Sequence, residues 1–309
     1  MKQGVLVISF SAGEYNGIGL LARQLENSKN IKFAFFSKSL KTVFFDIYRI
    51  IKEGCKSHTV VINYVFLCLL FAPVFRLLGK KVIFIPHEGE PLFPASLKPQ
   101  ISFIRRIVAS KRLTQLSMFF ANKTLCLSRL QAAALGANEH DIIHLGADFP
   151  TESVAKRPTH FFFPNRKHEE IKGFKEIASC HYLLVNLDDV ELNYHQMLTH
   201  YAQAQVVLIP SIIETYSYCM VEAMLANCII VTTKDVGLAH DLAKKVGTDL
   251  LNDYGVYIVD KPQLVAEFVN QNYDMLMAKT PKTKELAIAH GLDGKAAVNI
   301  MEALDDGKK

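Results

Sequence analysis

The chain is predicted to be an α/β protein of two domains, each built on a parallel sheet covered by helices. Three observations carry this. Short apolar runs alternate with longer mixed segments along the sequence, the pattern of repeated strand–helix units. The runs are continuously apolar rather than alternating, as strands buried on both faces must be. At 309 residues the chain exceeds what one core ordinarily organises, and the pattern restarts after FPTESVAKRP, a polar stretch with two prolines.

In order, the first series of strands is expected at Val5–Phe10, Lys32–Phe36, Val60–Asn63, Lys81–Ile85, Thr124–Leu127 and Ile142–Leu145. The second is expected at Thr159–Phe163, Tyr182–Asn186, Val206–Ile209, Cys228–Thr232 and Val256–Ile258. The boundary between them gives domains at 1–150 and 151–283, and a closing segment, 284–309, reads as helical from Lys284 to Leu304. Val60 to Phe75 is nearly all apolar. It is shorter than the ~20 residues of a membrane span, and Asn63, Pro73 and Arg76 interrupt or close it. It is expected to be a buried strand running into an apolar helix that Gly79 ends.

Composition excludes other classes. Half the residues are hydrophobic and 21% charged, which is globular and neither disordered nor fibrous. The six cysteines form no CxxC or other short pairing, which argues against a zinc ribbon or a disulfide framework and fits a reducing compartment. MKQGVLVISFSAGE reads as a first strand rather than a secretory leader, so a cytoplasmic protein is expected. Charge is uneven: residues 1–150 carry 19 Lys and Arg against 9 Asp and Glu, while 151–309 carry 16 against 21. No acidic residue lies between Glu90 and Glu139, where seven basic ones fall. Such a face suits nucleic acid, an anionic membrane or a phosphorylated substrate.

The stretch VVLIPSIIETYSYCMVEAMLANCIIVTTKDVG, residues 206–237, is the richest in chemistry. A buried strand ends at Pro210 and Ser211, a short loop holds Glu214, and a helix from about Tyr218 to Leu225 holds Glu222. Ligands of parallel sheets bind at the carboxyl ends of strands, where loop amides and helix N-termini converge. Two carboxylates at one strand end can divide labour. Apolar Val221, Ala223 and Met224 around Glu222 argue against a merely solvated position.

With these flanks, Glu214 and Glu222 resemble the paired glutamates of the retaining GT-B glycosyltransferases, in particular glycosyltransferase family 4. That family places a Glu, seven residues and a second Glu after a strand ending in Pro-Ser and before Ala-Met, here Pro210-Ser211 and Ala223-Met224. The resemblance covers roughly residues 1–260. It implies two Rossmann-like domains with parallel sheets facing a central cleft, and a nucleotide-diphosphate sugar as donor. FFFPNRKHEEIKGF resembles the family's strand and Gly-Arg-Leu…Lys-Gly segment, which makes Arg166 and Lys172 diphosphate ligands, with Asn165 where the family prefers Gly. Fixed cations stabilise the charge of a leaving diphosphate better than water does. Glu214 is then the donor-sugar residue, Glu222 the ribose residue, and Thr215, Tyr216 and Ser217 the donor-binding loop.

In the first half, EYNGIGLLARQL resembles the family's glycine-rich turn, with Gly17 and Gly19 near the donor phosphate or acceptor. His87, in PHEGE after KVIFIP, matches the histidine that contacts the donor sugar. LSRLQAAALGANEHDIIHLGAD resembles the family's closing segment, with Asp148 structural. No metal is expected: His195 and His200 fall on different helical faces, and Asp188-Asp189 lies in a loop. A glycan or lipid-linked acceptor and no nucleic-acid partner are expected, and the stretch 98–120, where Arg105, Arg106, Lys111 and Arg112 interleave with apolar residues, suits peripheral contact with an anionic membrane. A nucleotide-sugar epimerase and a non-catalytic nucleotide-sugar-binding subunit are the alternatives.

Overall fold

The computed structural model describes residues 4–10, 31–37, 41–93, 103–108, 110–147, 149, 156–167, 169–180, 182–185 and 194–294. They form two compact units that divide at Ile143/His144. In the first, β1 (Val5–Phe10), β2 (Ile31–Phe36), β3 (Thr59–Asn63), β4 (Lys81–Ile85) and β5 (Lys123–Thr124) make a parallel sheet in the order β2-β1-β3-β4-β5. Helices α1 (Val43–Lys56), α2 (Val65–Leu77), α3 (Phe103–Val108), α4 (Lys111–Phe120) and α5 (Arg129–Leu135) belong to this unit. In the second, β6 (Arg157–Phe163), β7 (Leu183–Val185), β8 (Ala204–Ile209), β9 (Ile229–Thr233) and β10 (Val256–Val259) pair in parallel in the order β10-β9-β8-β6-β7. Its helices are α6 (Tyr194–Gln203), α7 (Tyr218–Leu225), α8 (Gly237–Val246), α9 (Thr248–Tyr254), α10 (Gln263–Gln271), α11 (Tyr273–Ala278) and α12 (Thr283–Ala289).

The two sheets share one winding. In each, the first strand lies between the second and the third, so the direction of strand addition reverses between β1 and β3 and between β6 and β8. Loops leaving the carboxyl ends diverge at such a point and open a crevice. Both sheets bury their strands on two faces, which is why the runs are continuously apolar. Alternate residues Leu6, Ile8, Val60, Ile62, Val82 and Phe84 share one core with Ile50 of α1 and Phe71 and Phe75 of α2. In the second unit Phe161, Phe163, Val206, Leu208, Ile229 and Val231 pack with Val265 and Val269 of α10. Each such side chain removed from water contributes about 1.5–3 kcal/mol.

Three expectations about individual elements are corrected. The strand read at Thr124–Leu127 is only Lys123–Thr124, because beyond it the ladder thins to an isolated bridge between Cys126 and Ile142. The run Ile142–Leu145 is therefore not a strand. The chain turns away to pair Ala147 with Asp293, with Ala147 N donating to Leu292 O at 3.0 Å. The helix expected from Lys284 to Leu304 ends at Ala289, where Gly291 and Gly294 adopt left-handed φ of 66° and 64°. Residues beyond 294, and the crossing expected of the last helix, lie outside the described residues. The units divide ahead of the boundary read at 150/151 because His144 to Ala147 bond to the second unit: His144 Nε2 lies 3.0 Å from Asp241 Oδ2, and Tyr216 donates its hydroxyl hydrogen to Leu145 O.

Candidate functional site

The second unit gathers its chemistry where β6, β8 and β9 end. β8 closes at Ile209, and the carbonyl of Ser211 accepts from Thr233 Oγ1 at 2.7 Å. Two loops hold the Glu214 backbone. Its N–H donates to Asp235 O at 3.1 Å, and its carbonyl accepts from Gly237 N at 3.0 Å. From β6, a 3-10 turn over Glu170–Lys172 is clamped against the same place by Ile212 N donating to Ile171 O at 2.9 Å. Gly173 makes that approach feasible. Its φ is 71°, and a Cβ there would sit 2.0 Å from Pro210 O. The result brings Lys172 Nζ onto Glu214 Oε1 as an ion pair.

Helix α7 begins at Ser217, whose Oγ accepts from Met220 N at 3.4 Å as an N-cap. The segment YCMVEAML is apolar on nearly every side and is buried from Met220 to Leu225, so Glu222 is carried inside with it. Glu222 is 5% exposed. The Tyr194 hydroxyl donates to its Oε1 at 3.2 Å, and burial pushes its carboxyl up to about 7. Burial opposes the Lys172 ammonium, but Glu214 and then Cys219 hold its value above the ordinary lysine range. The Cys219 thiol joins the two carboxylates: burial, then Glu222 and Glu214, push it up to about 12, and it donates to Asn165 Oδ1 at 3.6 Å. Lys172, Glu214, Cys219, Glu222 and Asn165 are thus one electrostatically connected cluster.

That cluster keeps unused hydrogen-bonding capacity. Asn165 Nδ2, Ser211 Oγ and Glu214 Oε2 are buried without a hydrogen-bond partner among the described residues. Each such group costs about 1–3 kcal/mol, a cost that a polar ligand relieves. Arg166 stands apart, 62% exposed with Nη1 3.9 Å from Glu169 Oε1. The Tyr216 ring is buried and stacks on His144 at 6.1 Å, and Ser217 is occupied as a cap, so these side chains support the loop. Thr215 is half-buried beside them.

In the first unit, the reversal point between β1 and β3 carries a second set of orphaned polar atoms. Ser9 Oγ, both polar atoms of the Asn63 amide, and His87 Nε2 are buried without partners among the described residues. Burial pushes His87 down to about 4, so the ring is neutral near pH 7. The Tyr64 ring lies 5.8 Å from it on a residue with φ of 70°, and Glu88 Oε1 accepts from Val65 N at 2.7 Å at the start of α2. Gly17, Gly19, Asp148 and Asp188-Asp189 lie outside the described residues. Among the described residues, no group of three His, Cys, Asp or Glu is arranged to hold a metal ion.

Sequence reasoning missed Cys219, Tyr194, Asn63 and Ser9. Cys219 had a signal: it precedes Glu222 by three positions, hence on the same helical face. Tyr194 had none, since it reaches Glu222 from another helix.

No protein-family model matches the chain, and no curated protein matches it by sequence. Solved structures do match. The sucrose-phosphate synthase of Thermosynechococcus elongatus superposes with a TM-score of 0.72 at 11% identity, over 99% of each chain. HepE of Anabaena, solved with UDP, gives 0.69 at 13% identity over 98% of this chain and all of its own. The lipopolysaccharide outer core galactosyltransferase WaaB gives 0.65 at 12% identity over 99% of this chain. The fold is that of the GT-B glycosyltransferases.

Proposed function

We propose that this chain is a retaining glycosyltransferase that moves a sugar from a nucleotide-diphosphate donor, held by its second unit, to an acceptor hydroxyl. The observation that carries this reading is the Lys172–Glu214–Cys219–Glu222 cluster at the reversal point between β6 and β8, with buried polar atoms left unpaired among the described residues. A nucleotide sugar supplies what the cluster lacks. Its diphosphate takes the Lys172 ammonium and the exposed Arg166. The sugar hydroxyls meet Glu214 Oε2 and the loop amides of Thr215 to Ser217. The ribose diol donates to Glu222.

In the step itself, the acceptor oxygen attacks the anomeric carbon on the face from which the diphosphate departs. The bond from that carbon to the phosphate oxygen breaks, and the leaving oxygen takes the acceptor's proton. Lys172 and Arg166 stabilise the charge that develops there, so no divalent cation is required. The first unit, with its basic run, receives a lipid-linked or surface-polysaccharide glycan, and its His87 contacts the donor sugar.

Calorimetry with UDP, GDP and ADP tests the donor site. One of them should bind, and Glu222→Ala should weaken it by roughly 1.5–3 kcal/mol, the worth of a hydrogen bond to a charged group. Glu214→Ala should spare nucleotide binding and impair sugar transfer. Equal losses in both variants would refute the assigned roles. Following the released sugar with and without acceptors then separates transfer from epimerisation and from mere binding.

A further inference from the structure

Helices α1, α2 and α4 cover the same face of the first sheet: Ile50, Phe71 and Met118 all pack into one core. Ser117 Oγ of α4 donates to Val65 O of α2 at 3.3 Å, and Gly54 of α1 sits against the Phe75 ring of α2. The outer surface of this layer is unusual. On α1, Phe44 is 84% exposed, Phe45 66% and Tyr48 63%. On α2, Phe66 is 41% exposed, whereas Leu70 and Pro73 beyond it are partly buried, Leu70 against the core. Leu77 is 89% exposed, as is Phe119 of α4 at 77%. In the second unit, by contrast, exposed large apolar side chains such as Leu250, Leu264 and Ile288 are single residues on separate helices.

Charge identifies the occupant. Lys41 just before α1, Lys52 and Lys56 on it, Arg76 near the end of α2, and Lys111 and Arg112 on α4 are exposed around these apolar residues. The three helices carry only two acidic residues, Asp46 and Glu53. Asp46 is buried against Arg49, and Glu53 is bridged by Lys32 and Lys56. A second copy of the chain would bring two positive rims together, which repel. An anionic bilayer offers both what the aromatic centre and what the basic rim want. Tyr48, with Lys52 Nζ 5.8 Å from its ring centre, has the amphipathic character of an interfacial anchor. Among the described residues no helix is long and apolar enough to cross a membrane.

We infer that the first unit docks on anionic membranes through the outer face of α1, α2 and α4, with the α1 aromatics and the exposed Phe66 and Leu77 of α2 seated among the headgroups. Arg112 and Phe119 belong to the basic segment 98–120 that the sequence marks, but the centre of the face is on α1 and α2, which it does not mark. Docking goes beyond sugar transfer and needs no donor, so its failure leaves the donor site to be judged by calorimetry alone.

The test is co-sedimentation of the full chain with vesicles of phosphatidylglycerol mixed with phosphatidylcholine, against phosphatidylcholine alone. Wild-type protein should bind the anionic vesicles and lose binding as salt rises. The triple variant Phe44→Ser, Phe45→Ser, Tyr48→Ser should partition at least about tenfold less. So should Lys41→Gln, Lys52→Gln, Lys56→Gln at low salt. Leu250→Ser and Ile288→Ser, in the second unit, should bind as wild type does. Thermal melting checks that each variant is folded, and Leu77→Ser alone gives a milder loss if the triple variant is not. The inference is overturned if wild type ignores anionic vesicles at low salt. It is also overturned if folded triple variant binds them undiminished. A wild-type dimer that becomes a monomer in the triple variant, without vesicle binding, would assign the face to a second copy instead.

Discussion

Glu222 is the residue whose environment says most. Its carboxyl stands at about 7 against an ordinary 4.5 because α7 carries it into the protein. Between those values the folded chain holds a proton that the unfolded chain has lost, so stability falls as pH rises from 4.5 to 7 and the full cost applies above. The cost is on the order of 3 kcal/mol. Glu222→Gln should therefore stabilise the ligand-free protein at pH 8 and leave it nearly unchanged at pH 4.5, as urea titrations at the two values will report. A ribose diol prefers the ionised acceptor, so nucleotide affinity should rise more steeply from pH 6 to 8 in wild type than in the variant, which keeps only the slope of the nucleotide's own terminal phosphate. Lys172 and Arg166 make a different pair. Each change to alanine should lower turnover by about 10²-fold. Lys172→Ala alone should also lower the melting temperature, because it strands the Glu214 carboxylate, whose side chain is 11% exposed. Arg166 is mostly in solvent, and its loss should leave melting unchanged.

At the scale of elements, the site depends on how two loops meet. Gly173 is the contact point, and Gly173→Ala would force a Cβ into the Pro210 carbonyl. We expect this variant to lose at least about 1–3 kcal/mol of stability and to bind nucleotide more weakly, since Lys172 moves with the turn. Melting and calorimetry on the same sample check both parts. The seam between β6 and α6 should weaken in acid. His160 of β6 stacks on His200 of α6 with centroids 5.8 Å apart, and Arg157 and Lys156 stand nearby. Burial first, then His200, Arg157 and Lys156, push His160 down to about 4. The unfolded chain takes up a proton near 6.5 and the folded chain does not, so stability is lost as pH falls from 6.5 toward 4. His160→Gln should flatten part of that decline while matching wild type at pH 7.5.

At the scale of the molecule, each unit owns its sheet, its core and its set of orphaned polar atoms at the carboxyl edge. Nucleotide should then act locally. Hydrogen exchange with and without the nucleoside diphosphate should show protection in 170–173 and 211–222, and none in α1 and α2 of the first unit. Equal protection in both units would place the nucleotide elsewhere. The aromatic face of α1 and α2 behaves as a property of the first unit alone, and its exchange should respond to anionic vesicles rather than to nucleotide.

Strand positions were legible in the sequence because parallel strands buried on both faces leave unbroken apolar runs, and β1, β4 and α7 fall where those runs place them. The Glu214–Glu222 spacing was legible for a similar reason, since loop and helix lengths are local. Three things were decided only by tertiary structure. Whether Ile142–Leu145 joins the sheet depends on Asp293, far along the chain, which takes Ala147 into its own bridge. Whether Glu222 is neutral or charged depends on burial among elements distant in sequence and on Tyr194. Whether the apolar residues of α1 and α2 face a core or water depends on which helix faces the sheet leaves uncovered, and periodicity reports only that an apolar stripe exists. Local propensity and pattern travel with the chain, whereas burial, ionisation and exposure belong to the assembled neighbourhood.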